Sequence, residues 1–366
     1  MTTTGQHSVT VCIDVDMGNG KLDSSRESRS NRHIPKIPRQ FIETGRTLYS
    51  RHDNNLTKKV TRLVYDEVKI PAPWGYISGR WYGNRTERPI LAIHGWLDNL
   101  GTFERLIPLL PDYIGVLCID LPGHGRSSRF PAGVHYNVYD YVFIIPRVMK
   151  EFGWSKVSLM GHSLGGVMSF MYAAMAPTTV DFIISLDVLL PRRIEDPSKL
   201  FKDIEGYLVE ERRQADGTHP EPPSFTLSKM RNVLARSSNN SIPNNLADHM
   251  LHRQVAKSQI YPEKVFFSRD GRVKFYHIFD IENGLAAEMA RRIQKKPYLV
   301  IKGSLSPFVG PRCDEAISIL SQDNPHFEFY EVQGAKHHVH LHAAEECARY
   351  IVPFIRNHRP SKSSKL

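Results

Sequence analysis

At 366 residues and 41% hydrophobic content, the chain is long enough for one large α/β domain with an insertion, or for two small domains. Its net charge of +10 could suit nucleic acid or an anionic membrane, but the basic residues are spread along the chain with no stripe interleaved with aromatics, so nucleic-acid binding is not expected. No apolar run approaches the ~20 residues of a membrane span, and Cys12, Cys118, Cys313 and Cys347 form no Cys-x-x-Cys and follow no signal peptide, which predicts a soluble intracellular protein with reduced thiols.

In chain order, residues 1–58 are rich in Ser, Thr, Asn and Arg and lack sustained periodicity, which reads as a poorly ordered basic tail. From Thr61 the texture changes. Arg62 to Ile70 and Trp74 to Tyr82 alternate apolar and polar around Pro71-Ala72-Pro73, a strand pair. Pro89 to Ile93 and Gly115 to Ile119 are continuous apolar strands, ending in His94-Gly95-Trp96-Leu97-Asp98-Asn99 and in Asp120-Leu121-Pro122-Gly123-His124-Gly125-Arg126-Ser127. Tyr139 to Phe152 has helical spacing interrupted by Pro146; Asp181–Leu186 and Tyr298–Ile301 are further buried strands, and Phe327–Val332 alternates. Strands separated by helical segments predict a mostly parallel sheet with helices on both faces, whose ligand edge is the carboxyl end of the strands. Between residues 191 and 281 the alternation breaks into polar helical sequence, with a hairpin expected over Val265–Tyr276 turning at Asp270-Gly271. That stretch reads as an inserted lid, flanked by core segments 59–190 and 282–358.

The chain is organised around Gly161-His162-Ser163-Leu164-Gly165. Apolar Val157 to Met160 precedes it and a buried helix from Val167 follows, the strand–turn–helix context of a nucleophile elbow. A serine on so tight a turn has a strained backbone, and its flanking glycines avoid clashes that side chains would cause. The turn aims the helix start, with its unpaired N–H groups, at a developing oxyanion. Ser163 is therefore the candidate nucleophile, with the Leu164 N–H and an N–H from the His94-Gly95 turn as oxyanion donors. The base must follow late in the chain, where Gly334-Ala335-Lys336-His337-His338-Val339-His340-Leu341-His342 offers four histidines. His338-x-His340-x-His342 could chelate a metal, but no downstream carboxylate cluster completes a site, so neither metal nor cofactor is expected.

These motifs, in this order over residues 62–357, resemble the α/β-hydrolase fold family. His94-to-Asn99, Phe267-Ser268-Arg269-Asp270 and His337-to-Leu341 are similar to the animal serine hydrolase-like proteins, the kraken-like group. The resemblance implies an α/β-hydrolase fold with a lid over the active site and hydrolysis of small carbonyl substrates. It identifies Trp96 as the second oxyanion donor and, through a Gly-x-x-His pattern, His337 as the base, with His338 the alternative. The chain departs from the family at the acid: Gly303-Ser304-Leu305-Ser306-Pro307 places Ser306 where many relatives carry aspartate. The acid is then expected at Asp187, at the end of the strand after the elbow helix, as in the haloalkane dehalogenases; Asp314 and Glu282 are the alternatives.

The expected function is a serine hydrolase cleaving esters or thioesters of a small acyl substrate. The alternative is a catalytically silent relative binding a small apolar ligand under its lid, which Ser306 would support. Ser364-Lys365-Leu366 reads as a peroxisomal address recognised by an import receptor, so residues 359–366 are read as a targeting tail on a protein shared between peroxisome and cytoplasm.

Overall fold

The computed structural model describes residues 64–191, 196–216, 221–275 and 281–361, and the backbone of Ile42–Glu43. The rest of the N-terminal tail, Tyr276 and the Ser364-Lys365-Leu366 tripeptide lie outside the described residues.

A nine-stranded sheet organises the chain, in the order β1 (Ile42–Glu43), β2 (Tyr65–Ala72), β3 (Gly75–Tyr82), β5 (Val116–Ile119), β4 (Ile90–Ile93), β6 (Val157–His162), β7 (Val180–Leu186), β10 (Tyr298–Gly303), β11 (Phe327–Val332). A separate antiparallel pair, β8 (Val255–Lys257) and β9 (Val265–Phe267), belongs to the segment between β7 and β10. β1, β2 and β3 pair antiparallel, β3 pairs antiparallel with β5, and every pairing from β5 through β4, β6, β7 and β10 to β11 is parallel. The short apolar runs form these strands because both faces of the sheet are covered. Alternation of side chains sorts each strand between two cores. Leu91, Ile93, Leu117, Leu159, Ile183 and Val300 enter one; Ile90, Ala92, Cys118, Met160, Ile184 and Leu299 enter the other.

The helices, in chain order, are α1 (Val138–Val142), α2 (Ile144–Glu151), α3 (Leu164–Met175), α4 (Pro197–Ala215), α5 (Leu227–Ser237), α6 (Asp248–Gln254), α7 (Asn283–Ile293), α8 (Asp314–Ser321), α9 (Val339–His342) and α10 (Ala344–His358). Side chains of α1, α2, α3, α7 and α8 fill the first core, and α10 fills the second with Cys347, Ile351 and Phe354. A third cluster joins Met230, Leu234, Met250 and Leu251 of the inserted segment to Leu341.

Two local expectations are corrected. The helix expected over Tyr139–Phe152 is broken at Phe143 rather than at Pro146, which sits in the first turn of α2, where a missing N–H costs nothing. The expected Val265–Tyr276 hairpin does not form: β9 pairs back onto β8, and Asp270-Gly271 opens a 3₁₀ turn, Gly271–Lys274. The buried Asp270 carboxylate accepts from the Arg272 backbone N–H at 3.0 Å and from its guanidinium at 2.8 Å, a local competitor to a strand ladder.

Candidate active site

The parallel strands deliver their carboxyl ends to one edge. β4 runs into His94-Gly95, β6 into Ser163, β7 into Asp187, β10 into Ser306, and β11 into the loop carrying His337. Ser163 has φ 50° and ψ −119°, a conformation that costs an L-residue on the order of 1–3 kcal/mol. The turn tolerates no side chain on either flank. A Cβ on Gly161 would meet the Gly165 backbone at 2.2 Å, and one on Gly165 would meet the Ile93 carbonyl oxygen at 2.1 Å. The Ser163 N–H donates to the Leu186 carbonyl at 3.2 Å, tying the elbow to the end of β7.

The next residue on β7, Asp187, also has positive φ, 56°, and is fully buried. Its Oδ1 accepts from the Gly303 N–H at 2.8 Å, and its Oδ2 accepts from both the Ser306 hydroxyl and His337 Nδ1, the latter at 2.7 Å. Burial pushes this carboxyl up to about 7, against the pull of the Ser306 and Gly303 donors toward ionisation. An ionised carboxylate can only accept, so His337 Nδ1 carries the proton and Nε2 presents a lone pair. The Ser163 hydroxyl donates to that Nε2 at 2.9 Å. Burial, reinforced by His162, holds His337 well below the ordinary histidine value, which keeps it neutral. Phe308 stacks on its ring at 3.8 Å and 16°, fixing the imidazole plane. Ser163, His337 and Asp187 thus form one continuous hydrogen-bonded chain drawn from three separate loops.

Such a chain on a strained strand-to-helix serine, at the carboxyl edge of a parallel sheet, invites comparison with known proteins. A family model described as the alpha/beta hydrolase fold matches residues 88–344. This chain belongs to the α/β-hydrolase fold family. It is 33% identical to the "Probable serine hydrolase" of Drosophila melanogaster, over 83% of this chain and 92% of that one. It is 30% identical to the "Serine hydrolase-like protein" of Danio rerio, over 84% and 94%. Among solved structures, a hypothetical protein of Pseudomonas aeruginosa PAO1 superposes with TM-score 0.67 at 25% identity, covering 79% of this chain and 99% of that one. E-2-(acetamidomethylene)succinate hydrolase superposes with TM-score 0.59 at 22% identity, covering 80% and 99%, which speaks for the fold alone.

Within this α/β-hydrolase chain, the other residues singled out in the sequence fall as follows. Leu164 is the first residue of α3, where a helix has no internal acceptor for the N–H. Trp96 follows Gly95, on which a Cβ would lie 3.0 Å from Ser163 Cβ, so the turn after β4 packs directly on the elbow. The Trp96 indole donates to the Val273 carbonyl at 2.6 Å, reaching the inserted segment. Asp314 and Glu282 are exposed, at the start of α8 and immediately before α7, and the carboxylate partner of His337 is Asp187.

The alternative base, His338, is buried and bonded to the Ser241 hydroxyl at 2.7 Å. Alternate histidines of the His338-x-His340-x-His342 run diverge: His340 is buried against Thr102 at 2.8 Å, and His342 is exposed. His124, in the turn after β5, is buried. It donates to the Pro122 carbonyl at 3.0 Å and accepts from the Leu97 N–H at 3.2 Å, and burial, with His94 beside it, takes it down to about 3.

Sequence reasoning missed Ser306 as a partner of the acid, because it read the hydroxyl as a carboxylate replaced. Phe308 and Arg253 were missed as well. Arg253 is fully buried between Asp120 at 2.7 Å and Glu67 at 2.9 Å, joining α6 to the turn after β5. No local motif marks an arginine whose partners lie 133 and 186 residues away.

Proposed function

We propose that the protein is a serine hydrolase that cleaves carboxylic esters or thioesters through an acyl-enzyme. The observation that carries this reading is the unbroken Ser163–His337–Asp187 hydrogen-bond chain, 2.9 Å and 2.7 Å between heavy atoms, ending on a strained elbow serine. Ser163 Oγ attacks the acyl carbon while its proton passes to His337 Nε2. The Leu164 and Trp96 backbone N–H groups stabilise the oxyanion, and Asp187 stabilises the imidazolium. His337 returns the proton to the departing alkoxide or thiolate. A water molecule then attacks the acyl-serine, giving one proton to His337, which passes it back to Ser163 as the carboxylic acid leaves. The catalytically silent alternative rested on Ser306 standing where an acid is common; with Asp187 bonded to His337, no observation favours it.

The test is covalent labelling by a fluorophosphonate probe together with hydrolysis of a short p-nitrophenyl ester. Wild-type protein is expected to label and turn over, and Ser163→Ala to do neither while keeping its circular dichroism. Folded wild type that neither labels nor cleaves any ester or thioester of a panel overturns the reading. Where Ser364-Lys365-Leu366 is the free carboxyl end, we propose that an import receptor reads it as a peroxisomal address. An N-terminally tagged fluorescent fusion should move from peroxisomes to cytosol on deletion of Leu366; equal distribution of the two forms refutes it.

A further inference from the structure

Beside the candidate active site lies a group of side chains that acyl transfer does not use. Asp98, in the turn after β4, His162, before the elbow serine, and His338, after His337, are buried together, and one ligand atom from each lies within 4.8 Å of the others. His162 Nδ1 is 3.4 Å and His338 Nε2 3.8 Å from Asp98 Oδ2. Neither His162 Nδ1 nor Asp98 Oδ2 has a partner in hydrogen-bond geometry, although both are buried. Orphaned polar atoms at such depth are costly and call for a ligand.

The outer bonds of the two imidazoles show what kind. His162 Nε2 faces the His337 carbonyl oxygen at 3.1 Å, and a carbonyl only accepts, so Nε2 carries a proton. Its Nδ1 is the ring nitrogen left toward Asp98. The Ser241 hydroxyl donates its proton to the Ser238 carbonyl at 2.7 Å, so it accepts from His338 Nδ1–H at 2.7 Å. The His338 Nε2 lone pair is then also left toward Asp98. Two imidazole nitrogens and a carboxylate oxygen converge at this point.

We propose that Asp98, His162 and His338 form a binding site for a divalent transition metal of the zinc type. Two imidazoles and one carboxylate are a zinc ligand set, whereas magnesium or calcium would call for more oxygens. Tetrahedral ligands at about 2.0–2.1 Å from zinc lie roughly 3.4 Å apart. The 3.4 Å pair already has this spacing, and the 3.8 Å pair needs only a small side-chain shift. A water completes the fourth position. Outer-shell bonds that fix the tautomer of each ligating imidazole are what metal sites require, and both are present. Because Ser241 lies in the inserted segment, the metal would join that segment, the elbow and the histidine loop. The site stands independently of the esterase reading, since metal uptake needs no catalysis.

The experiment loads the full-length protein, first stripped with a chelator and then desalted, with Co²⁺ or Zn²⁺. We expect one metal per chain, a tetrahedral Co²⁺ absorption spectrum, and a melting temperature that rises with free metal. Asp98→Asn and His338→Gln should each weaken affinity at least tenfold, and Ser241→Ala, a mild change outside the ligand set, by about tenfold. A wild-type protein that takes up no metal, or affinity unchanged in all three variants, overturns the proposal. So does nitrogen-15 NMR of metal-exposed protein showing protons on both His162 ring nitrogens, because a proton then fills the place of the metal. The wild-type titration and the NMR decide the matter even where a ligand variant fails to fold.

Discussion

Asp187 carries opposing demands in a single side chain. Burial drives its carboxyl up to about 7, while the proposed role of stabilising an imidazolium requires it ionised. kcat/KM for a non-titrating ester should therefore rise with pH through an acid limb near 7, read as a property of the coupled Asp187–His337 pair. Ser306→Ala, which removes a donor that favours the ionised form, should shift that limb to higher pH and leave the plateau within about tenfold. The stability consequence has the opposite sense. A carboxyl with a raised folded-state pKa contributes stability that is present below its unfolded value, near 3.9, and lost as pH rises through about 7. Asp187→Asn should accordingly lower kcat by roughly two to four orders of magnitude. Its melting temperature relative to wild type should climb between pH 5 and pH 8. A melting difference that falls over that interval would contradict the assignment.

At the scale of elements, the acid belongs to a strand end rather than to a motif. β7 and β10 are parallel neighbours, with Leu186 opposite Ile301, and the Asp187 N–H donates to the Ile301 carbonyl at 2.7 Å. Their two terminal loops therefore meet, and Ser306 touches Asp187 although 119 residues separate them. Either loop could then present a carboxylate to His337 Nδ1. The double variant Asp187→Asn/Ser306→Asp should recover at least tenfold of the kcat lost in Asp187→Asn alone, measured with one ester at saturation. No recovery would show that the β10 loop does not reach the imidazole.

Across the whole molecule, the inserted segment is fastened to the sheet by buried polar links as well as by apolar contact. Arg253 of α6 bonds Asp120, Glu67 of β2 and, at 2.8 Å, Ser78 of β3; Asn99 bonds the Met250 carbonyl at 3.0 Å. Asp120 also accepts from the Leu100 and Arg126 N–H groups at 3.0 and 2.9 Å, so the arginine completes the turn that follows β5. Removing one partner of a buried ion pair leaves an uncompensated charge. Arg253→Ala should cost about 3–5 kcal/mol in urea unfolding. A loss below about 1 kcal/mol would mean that Asp120 and Glu67 are satisfied without it.

Much of this was written along the chain itself. The strands of the sheet core are short apolar runs that read alike in any context, because a strand covered on both faces needs nothing but apolar residues. The elbow was equally legible, since Gly161, Ser163 and Gly165 are imposed by one tight turn and lie within five residues. Local competition defeated the reading at Asp270, where a carboxylate capping its own 3₁₀ turn displaced the expected hairpin. Tertiary structure alone decided which carboxylate meets His337 and what Ser306 bonds. It alone brought Asp98 and His338 to His162 and buried Arg253 with its distant partners. Those pairings depend on which strands are neighbours and how far each loop projects beyond the sheet edge. Strand order is set by packing between segments far apart in sequence, and no spacing along the chain records it.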